Sequence, residues 1–433
     1  MEESKVVIIG GGFVGLNCAR KLAGSSASVT LIDKRNHHLF QPLLYQVAMA
    51  GLSPADIATP IRAIFNNDKN IKVLQDEVTK FDLKEKKITT GHGSVDFDYL
   101  VVAAGASHSY FGHPEWEICA PGLKTLSQAT EIRRRVLTAF EEAEKSTDPE
   151  KQKMLLTFVV IGGGPTGVEL AGAIGEMSRY TLAKDFRSID SKLSRTILLE
   201  AGSRILPSFS LKQASHATRE LEKLGVQVWT RSRVTDMSPE YVQVGSERVH
   251  AGTVLWAAGV KASDLGEKAG WKVDRQGRVV VGSDLTVPDH ARVFVAGDMA
   301  CALGEDGKPL PGLASVALQQ GRFIGETILA DIEGKPRKEF HYFDKGQMAT
   351  IGRSRSILEY GSLKLTGFLA WLVWLVVHIY YLTGFRNRTA VVLQWAWSYL
   401  YYKRGARLIV PREWRTESIK KTVDTKGDEN GAH

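Results

Sequence analysis

Two glycine runs, each leaving an apolar strand and opening a helix, constrain this 433-residue chain more than anything else in it. Gly10-Gly11-Gly12-Phe13-Val14-Gly15 follows Val6-Val7-Ile8-Ile9, and Gly162-Gly163-Gly164-Pro165-Thr166-Gly167 follows Phe158-Val159-Val160-Ile161. In such a run Gly10 and Gly162 make the tight turn, Gly12 and Gly164 let backbone approach a pyrophosphate, and Gly15 and Gly167 let helix pack on strand. The helix N-terminus then offers N–H groups to the phosphates. Two loops predict two dinucleotides held together, and hence electron transfer between them. The fold class expected is α/β, with two nested Rossmann-like units.

Each loop is followed by an acid at a strand end. Asp33 closes Ser28-Val29-Thr30-Leu31-Ile32, about 20 residues past its loop, where a carboxylate accepts from a ribose diol. Glu200 closes Thr196-Ile197-Leu198-Leu199, but lies farther from its loop because Arg179–Arg195 intervenes. An acid there repels a 2′-phosphate and favours NADH over NADPH; Arg204 nearby pulls the other way. The strand endings Ala103-Ala104-Gly105 and Ala257-Ala258-Gly259 repeat between the units, small residues that let the chain pass close under a ligand. Gly297-Asp298 ends a further strand, placing a carboxylate where it suits the hydroxyls of a ribityl chain. A helix from about Ala314 to Ala330 would present its positive N-terminal end to the electron-rich edge of a reduced ring.

Charge and cysteine usage narrow the partners. With 56 Lys and Arg against 48 Asp and Glu, the net charge of +8 suits an anionic partner. No nucleic-acid motif is present, and the C-terminal basic residues interleave with Trp and Leu, so membrane headgroups are expected rather than nucleic acid. Cys18, Cys119 and Cys301 have neither C-x-x-C nor metal-ligand spacing, so no metal is expected. The first strand is entered by Val6, leaving no room for a signal peptide and implying a reducing, cytoplasmic setting.

Gly367–Phe385 is almost wholly apolar, with His378 its one group titrating near neutrality; as a single helix it would be roughly 28 Å long. Val391–Tyr402 is too short to span a bilayer. Trp371, Trp374, Tyr380, Tyr381, Trp395, Trp397, Tyr399, Tyr401 and Tyr402 crowd the region, and Lys364, Arg386, Arg388, Lys403, Arg404 and Arg407 flank it. Aromatic and basic residues together suit a headgroup interface, so two helices lying on the membrane are expected over residues 364–410. The same surface also suits a second copy of the chain, which leaves a homodimer open. Five segments are expected: 1–150 and 281–340 as two parts of the first nucleotide unit, 151–280 as the second, 341–415 as the membrane region, and a polar tail over 416–433. The polar stretch 146–153 reads as the crossing between units.

These features resemble the type II NADH:quinone oxidoreductases, single-chain flavoproteins that do not pump protons. The stretches that carry the likeness are Phe40-Gln41-Pro42-Leu43-Leu44-Tyr45-Gln46-Val47-Ala48, Gly162 to Ala173, Lys345-Gly346 and the Trp371–Ile409 region. The resemblance implies one non-covalent FAD on Gly10, Gly12, Gly15, Asp33, Ala104, Gly105, Gly297, Asp298 and Ala314. It implies NADH on Gly162, Gly164, Gly167, Glu200 and Gly259, and Glu169 beside the nicotinamide. Gln319 and Lys345 are implied at the site of a membrane quinone, ubiquinone or menaquinone, on the cytoplasmic face of the cell membrane. One departure stands out: the family pattern Ala-Gln-x-Ala-x-Gln reads Ala314-Ser315-Val316-Ala317-Leu318-Gln319, so Ser315 replaces an amide and is expected to cap the helix instead. The rival readings are a sulfide:quinone oxidoreductase, which needs redox cysteines, a soluble pyridine-nucleotide reductase, and a nucleotide-sensing flavoprotein whose work is partner binding.

Overall fold

The computed structural model describes residues 3–401 and 406–410. The first unit opens with β1 (Lys5–Ile9), α1 (Phe13–Leu22) and β2 (Ser28–Asp33), continues through β3 (Ile71–Gln75) and β4 (Tyr99–Val102), and crosses to the second unit after β5 (Ala106–His108) and the long helix α2 (Leu126–Lys145). The second unit holds β6 (Thr157–Ile161), α3 (Pro165–Glu176), β7 (Arg195–Leu199), β8 (Val226–Trp229), β9 (Thr253–Trp256) and β10 (Val260–Ala262). The chain then returns through β11 (Thr286–Val287), β12 (His290–Val295) and α4 (Ala314–Ile332). The last elements are β13 (Gln347–Gly352), β14 (Arg355–Tyr360), β15 (Leu363–Thr366), α5 (Gly367–Tyr381) and α6 (Phe385–Tyr401).

The first sheet has the order β11-β12-β4-β1-β2-β3 and the second β8-β7-β6-β9. Apart from the β11–β12 pair, neighbours in both run parallel. Parallel strands are buried on both faces, which explains why β1, β4, β6 and β9 are apolar at nearly every position. In both sheets the glycine loop leaves a central strand, where the order of the strands reverses and ligands bind. The first sheet is completed by strands on both sides of the second unit in sequence, so the second unit is nested within the first. A two-stranded antiparallel ribbon, β5 with β10, joins the units in the register Ala106↔Ala262 and Ser107↔Lys261.

Two local expectations change. The polar stretch before β6 is not bare linker: a short helix spans Pro149–Leu155, its N-cap Asp148 accepting from the Glu150 N–H. The apolar C-terminal stretch is also not one helix. It breaks after Tyr381, Gly384 adopts φ +90°, and a second helix starts at Phe385. Arg388 stabilises the break, donating from Nε to the Leu382 carbonyl at 2.8 Å and from Nη2 to the Tyr380 carbonyl at 2.9 Å. The 15 residues of α5 make roughly 22 Å of helix, and no described helix is long and apolar enough to cross a membrane. The predicted tail over 416–433 and Tyr402, Lys403 and Arg404 lie outside the described residues.

The β13–β14–β15 sheet seats α3. A Cβ on Gly172 would lie 1.7 Å from the Ile351 carbonyl oxygen, so helix backbone rests directly on strand backbone there.

Candidate functional site

A cavity of about 2010 Å³ opens at the C-terminal edge of the first sheet, well above the roughly 300–1,000 Å³ of a site for one small ligand. Gly10, Gly11 and Gly12 line it, with Asp33, Ala104, Gly105, Gly297, Asp298 and Ala314. Gly10 has φ +103°, and a Cβ there would lie 2.3 Å from the Ala103 carbonyl oxygen. Gly15 does not face the cavity; its Cβ would lie 1.9 Å from the Gly10 carbonyl oxygen, so it serves helix-to-strand contact. Gly12 differs from both: nothing stands within 4 Å of its Cβ position, leaving room over the loop for a ligand. The Asp33 carboxylate orients that loop, accepting from the Gly11 N–H at 2.6 Å and the Arg35 N–H at 2.7 Å. Asp298 is paired with Lys124 Nζ at 3.3 Å, a lysine that no motif in the sequence pointed to. These residues fit a dinucleotide: an open backbone cradle, a carboxylate at the strand end, and a second carboxylate farther along one wall.

The second loop repeats the arrangement. Glu200 accepts from the Gly163 N–H at 2.7 Å and the Gly202 N–H at 2.5 Å. Gly162 has φ +110°, the Gly167 Cβ would lie 1.8 Å from the Gly162 carbonyl oxygen, and Gly164 is open. Arg204, which pulled against the NADH reading, spends its guanidinium on the Phe209 and Pro207 carbonyls at 2.6 and 2.8 Å. Gly162, Gly164 and Glu200 are not among the residues lining the cavity, whereas Pro165, Thr166 and Glu169 of α3 are. The second cradle therefore lies beside the cavity, and the helix it opens reaches in.

Glu169 is the chemically distinctive group. Burial pushes its carboxyl up from 4.5 to about 8, opposed by a hydrogen bond from the Thr350 backbone N–H. A carboxyl of this kind is protonated near neutrality, so it can donate a hydrogen bond and carries no negative charge into the cavity.

The same cavity wall also carries Ser315, Tyr342, Lys345, His378 and Tyr381. Lys345 Nζ donates to the Tyr381 hydroxyl at 2.9 Å. His378 Nδ1 lies 2.6 Å from the Trp374 carbonyl, an N–H donor to a carbonyl, and burial lowers the ring to about 4. Two expectations change here. Ser315 does not cap α4: its hydroxyl pairs with the Tyr342 hydroxyl at 3.0 Å, and the N-cap is Leu313, without a side-chain cap. Gln319 is not among the cavity-lining residues, because its amide is taken up by the backbone of Phe343. Nε2 donates to that carbonyl at 2.9 Å, and Oε1 accepts from that N–H at 3.0 Å. Its neighbour Gln320 is engaged elsewhere, accepting from the Gly297 N–H at 2.7 Å. Tyr342 and Lys124 carry no sequence pattern, and Tyr381 stood out only as one of the crowded C-terminal aromatics; the fold alone brings all three to this cavity. The exposed large apolar residues of α5 and α6 lie close by in sequence, among them Leu369, Val376, Tyr380, Leu393 and Trp397.

The cysteines form no disulfide. All three are free thiols, with Cys18 and Cys301 buried. No group of three or more potential metal ligands occurs among the described residues.

Comparison with known proteins places the chain. The family model for pyridine nucleotide-disulphide oxidoreductases matches residues 4–321. A curated Mycobacterium tuberculosis protein named type II NADH:quinone oxidoreductase Ndh is 42% identical over 428 residues, 95% of this chain and 91% of its own length. A type II NADH:quinone oxidoreductase of Staphylococcus haemolyticus is 31% identical, over 81% of this chain and 88% of its own. Among solved structures, NDH2 from Plasmodium falciparum in complex with NADH superposes with a TM-score of 0.86 at 20% identity, over 95% of this chain and all of that one. The sulfide:quinone oxidoreductase of Aquifex aeolicus matches with a TM-score of 0.69 at 18% identity, over 98% of this chain and 95% of that one.

Proposed function

Because this chain belongs to the type II NADH:quinone oxidoreductases, we propose that it is a flavoprotein that oxidises NADH and reduces a membrane quinone through one non-covalent FAD held on the first glycine loop. The observation that carries the reading is that one cavity is lined together by Gly10–Gly12, Asp298, Glu169, Ser315, Lys345 and Tyr381.

Bound there, a flavin supplies the two-electron chemistry between NADH and quinone that no side chain offers. The chain supplies position and charge. The open backbone at Gly12 and the Asp33-oriented loop hold pyrophosphate and ribose, and Asp298 with Lys124 holds the ribityl region. Gly162, Gly164 and Glu200 hold NADH, and protonated Glu169 donates a hydrogen bond beside the nicotinamide. Lys345 polarises the Tyr381 hydroxyl, which donates to a quinone carbonyl as charge develops on it. The exposed apolar residues of α5 and α6 rest in the headgroup region of the cytoplasmic face of the cell membrane, which delivers the quinone. The sulfide-oxidising rival lacks its redox cysteine pair: Cys301 is buried and burial raises the thiols of both Cys119 and Cys301, which disfavours thiolate.

Anaerobic NADH should bleach the purified yellow protein, and a soluble quinone should restore its colour. Flavin that stays oxidised under excess NADH sinks the proposal. Flotation with anionic vesicles tests the membrane assignment; a dimer in solution that leaves vesicles unbound would assign α5 and α6 to a second copy instead.

A further inference from the structure

Phe111 is out of keeping with its position in two respects. Its φ is +51°, a left-handed backbone that bulky residues rarely adopt, and its apolar ring is 67% exposed. The residue before it has neither oddity: Tyr110 is buried and its hydroxyl donates to the Ala120 carbonyl at 2.9 Å. Strain of this kind persists where the surroundings hold it, and it gathers at working sites.

What holds it is the ribbon between the units. The Ser109 N–H donates to the Gly259 carbonyl at 3.3 Å, and Trp256 Nε1 donates to the Ser109 carbonyl at 3.0 Å. The turn that follows puts the Phe111 ring against Gly259, where a Cβ would lie 2.6 Å from Cζ and 3.0 Å from Cε2. Gly259 ends the run Ala257-Ala258-Gly259 at the C-terminal edge of the second sheet. That edge adjoins the second loop, since a Cβ on Gly162 would lie 2.7 Å from the Ala257 carbonyl carbon. The same ring lines the cavity that holds Gly10–Gly12. It therefore stands at the junction of the two cradles, over the strand end where a nucleotide sits.

We propose that Phe111 is a gating residue, whose ring covers Gly259 until the nicotinamide half of NADH displaces it. The inference rests on the assignment of NADH to the second loop. While the ring is closed only a fraction of the protein is competent to bind, which raises the apparent dissociation constant by the reciprocal of that fraction.

The test is anaerobic flavin reduction by NADH in the flavin-loaded full chain, read by stopped flow. Phe111→Asn keeps a residue that tolerates the left-handed backbone and removes the ring. It should lower half-saturating NADH by about three- to tenfold, with a smaller change in limiting rate. Phe111→Tyr should retain the wild-type value. Unchanged or raised half-saturation in Phe111→Asn overturns the gate, even though wild-type bleaching leaves the NADH assignment standing. A wild-type protein that NADH does not bleach refutes the assignment itself. Should Phe111→Asn lose its flavin, Phe111→Leu reads the same quantity with a smaller expected fall, and no fall overturns the proposal.

Discussion

Trp395 Nε1 donates a hydrogen bond to Gln46 Oε1 at 2.7 Å, joining the last helix to a segment near the start of the first unit. Gln46 in turn donates to the Tyr45 hydroxyl at 2.9 Å. Trp395→Phe keeps the ring and deletes the donor. It should cost about 1 kcal/mol, seen as a lower urea midpoint, and should slow quinone-dependent turnover more than NADH-driven bleaching. Equal slowing of both half-reactions would show that Trp395 supports the whole fold.

Gly12 and Gly15 separate two roles within one loop. A Cβ at Gly12 meets no protein atom within 4 Å, so Gly12→Val should fold and yet emerge colourless. Gly15→Ala drives a methyl into the Gly10 carbonyl oxygen and should lower the melting temperature as well. Normal flavin absorbance in Gly12→Val contradicts the first-loop assignment.

Removal of the Glu200 carboxylate leaves the Gly163 and Gly202 N–H groups without their acceptor. Glu200→Ala should raise half-saturating NADH about tenfold, the equivalent of about 1.4 kcal/mol, and should narrow the preference over NADPH. An unchanged preference reassigns this acid to loop structure.

Glu169 sets a pH dependence whose sign follows from its burial. The folded chain keeps this proton up to about pH 8, whereas the unfolded chain releases it near 4.5. The stability that it contributes is complete below the lower value and is lost as pH rises to the higher one, by at most about 1.4 kcal/mol per pH unit. Urea midpoints measured between pH 5 and 8 should fall less steeply for Glu169→Gln than for wild type. Parallel slopes would place the proton elsewhere.

Ser315→Gln introduces an amide into the cavity wall and breaks the pair with Tyr342. Half-saturating quinone should fall by about two- to tenfold, the range of one added hydrogen bond. NADH-driven bleaching should not change; if it does, Ser315 acts on the nicotinamide end instead.

Both glycine loops, their acids Asp33 and Glu200, and the strand ends at Gly105 and Gly259 were legible in sequence because each is a local demand: a φ that only glycine meets easily, or a close backbone approach. The partners of Gln319 and Asp298 were not. Gln319 matches a motif, but its amide goes to Phe343, 24 residues on, and only the fold shows that competition. The Lys124–Asp298 pair spans 174 residues; Asp298 was marked by its strand end, but nothing marked Lys124. The break after Tyr381 had a local sign in Thr383-Gly384, masked by the uniform hydropathy around it.

The seat of Gly172 on the Ile351 carbonyl has a mechanical consequence. The helix bearing Glu169 is seated on the sheet whose last strand runs on into α5, its backbone meeting that of Ile351. A bulkier residue at Gly172 would have to lift the acid's helix off that strand, so the position of Glu169 is set by the backbone of the β13–β14–β15 sheet as much as by its own helix.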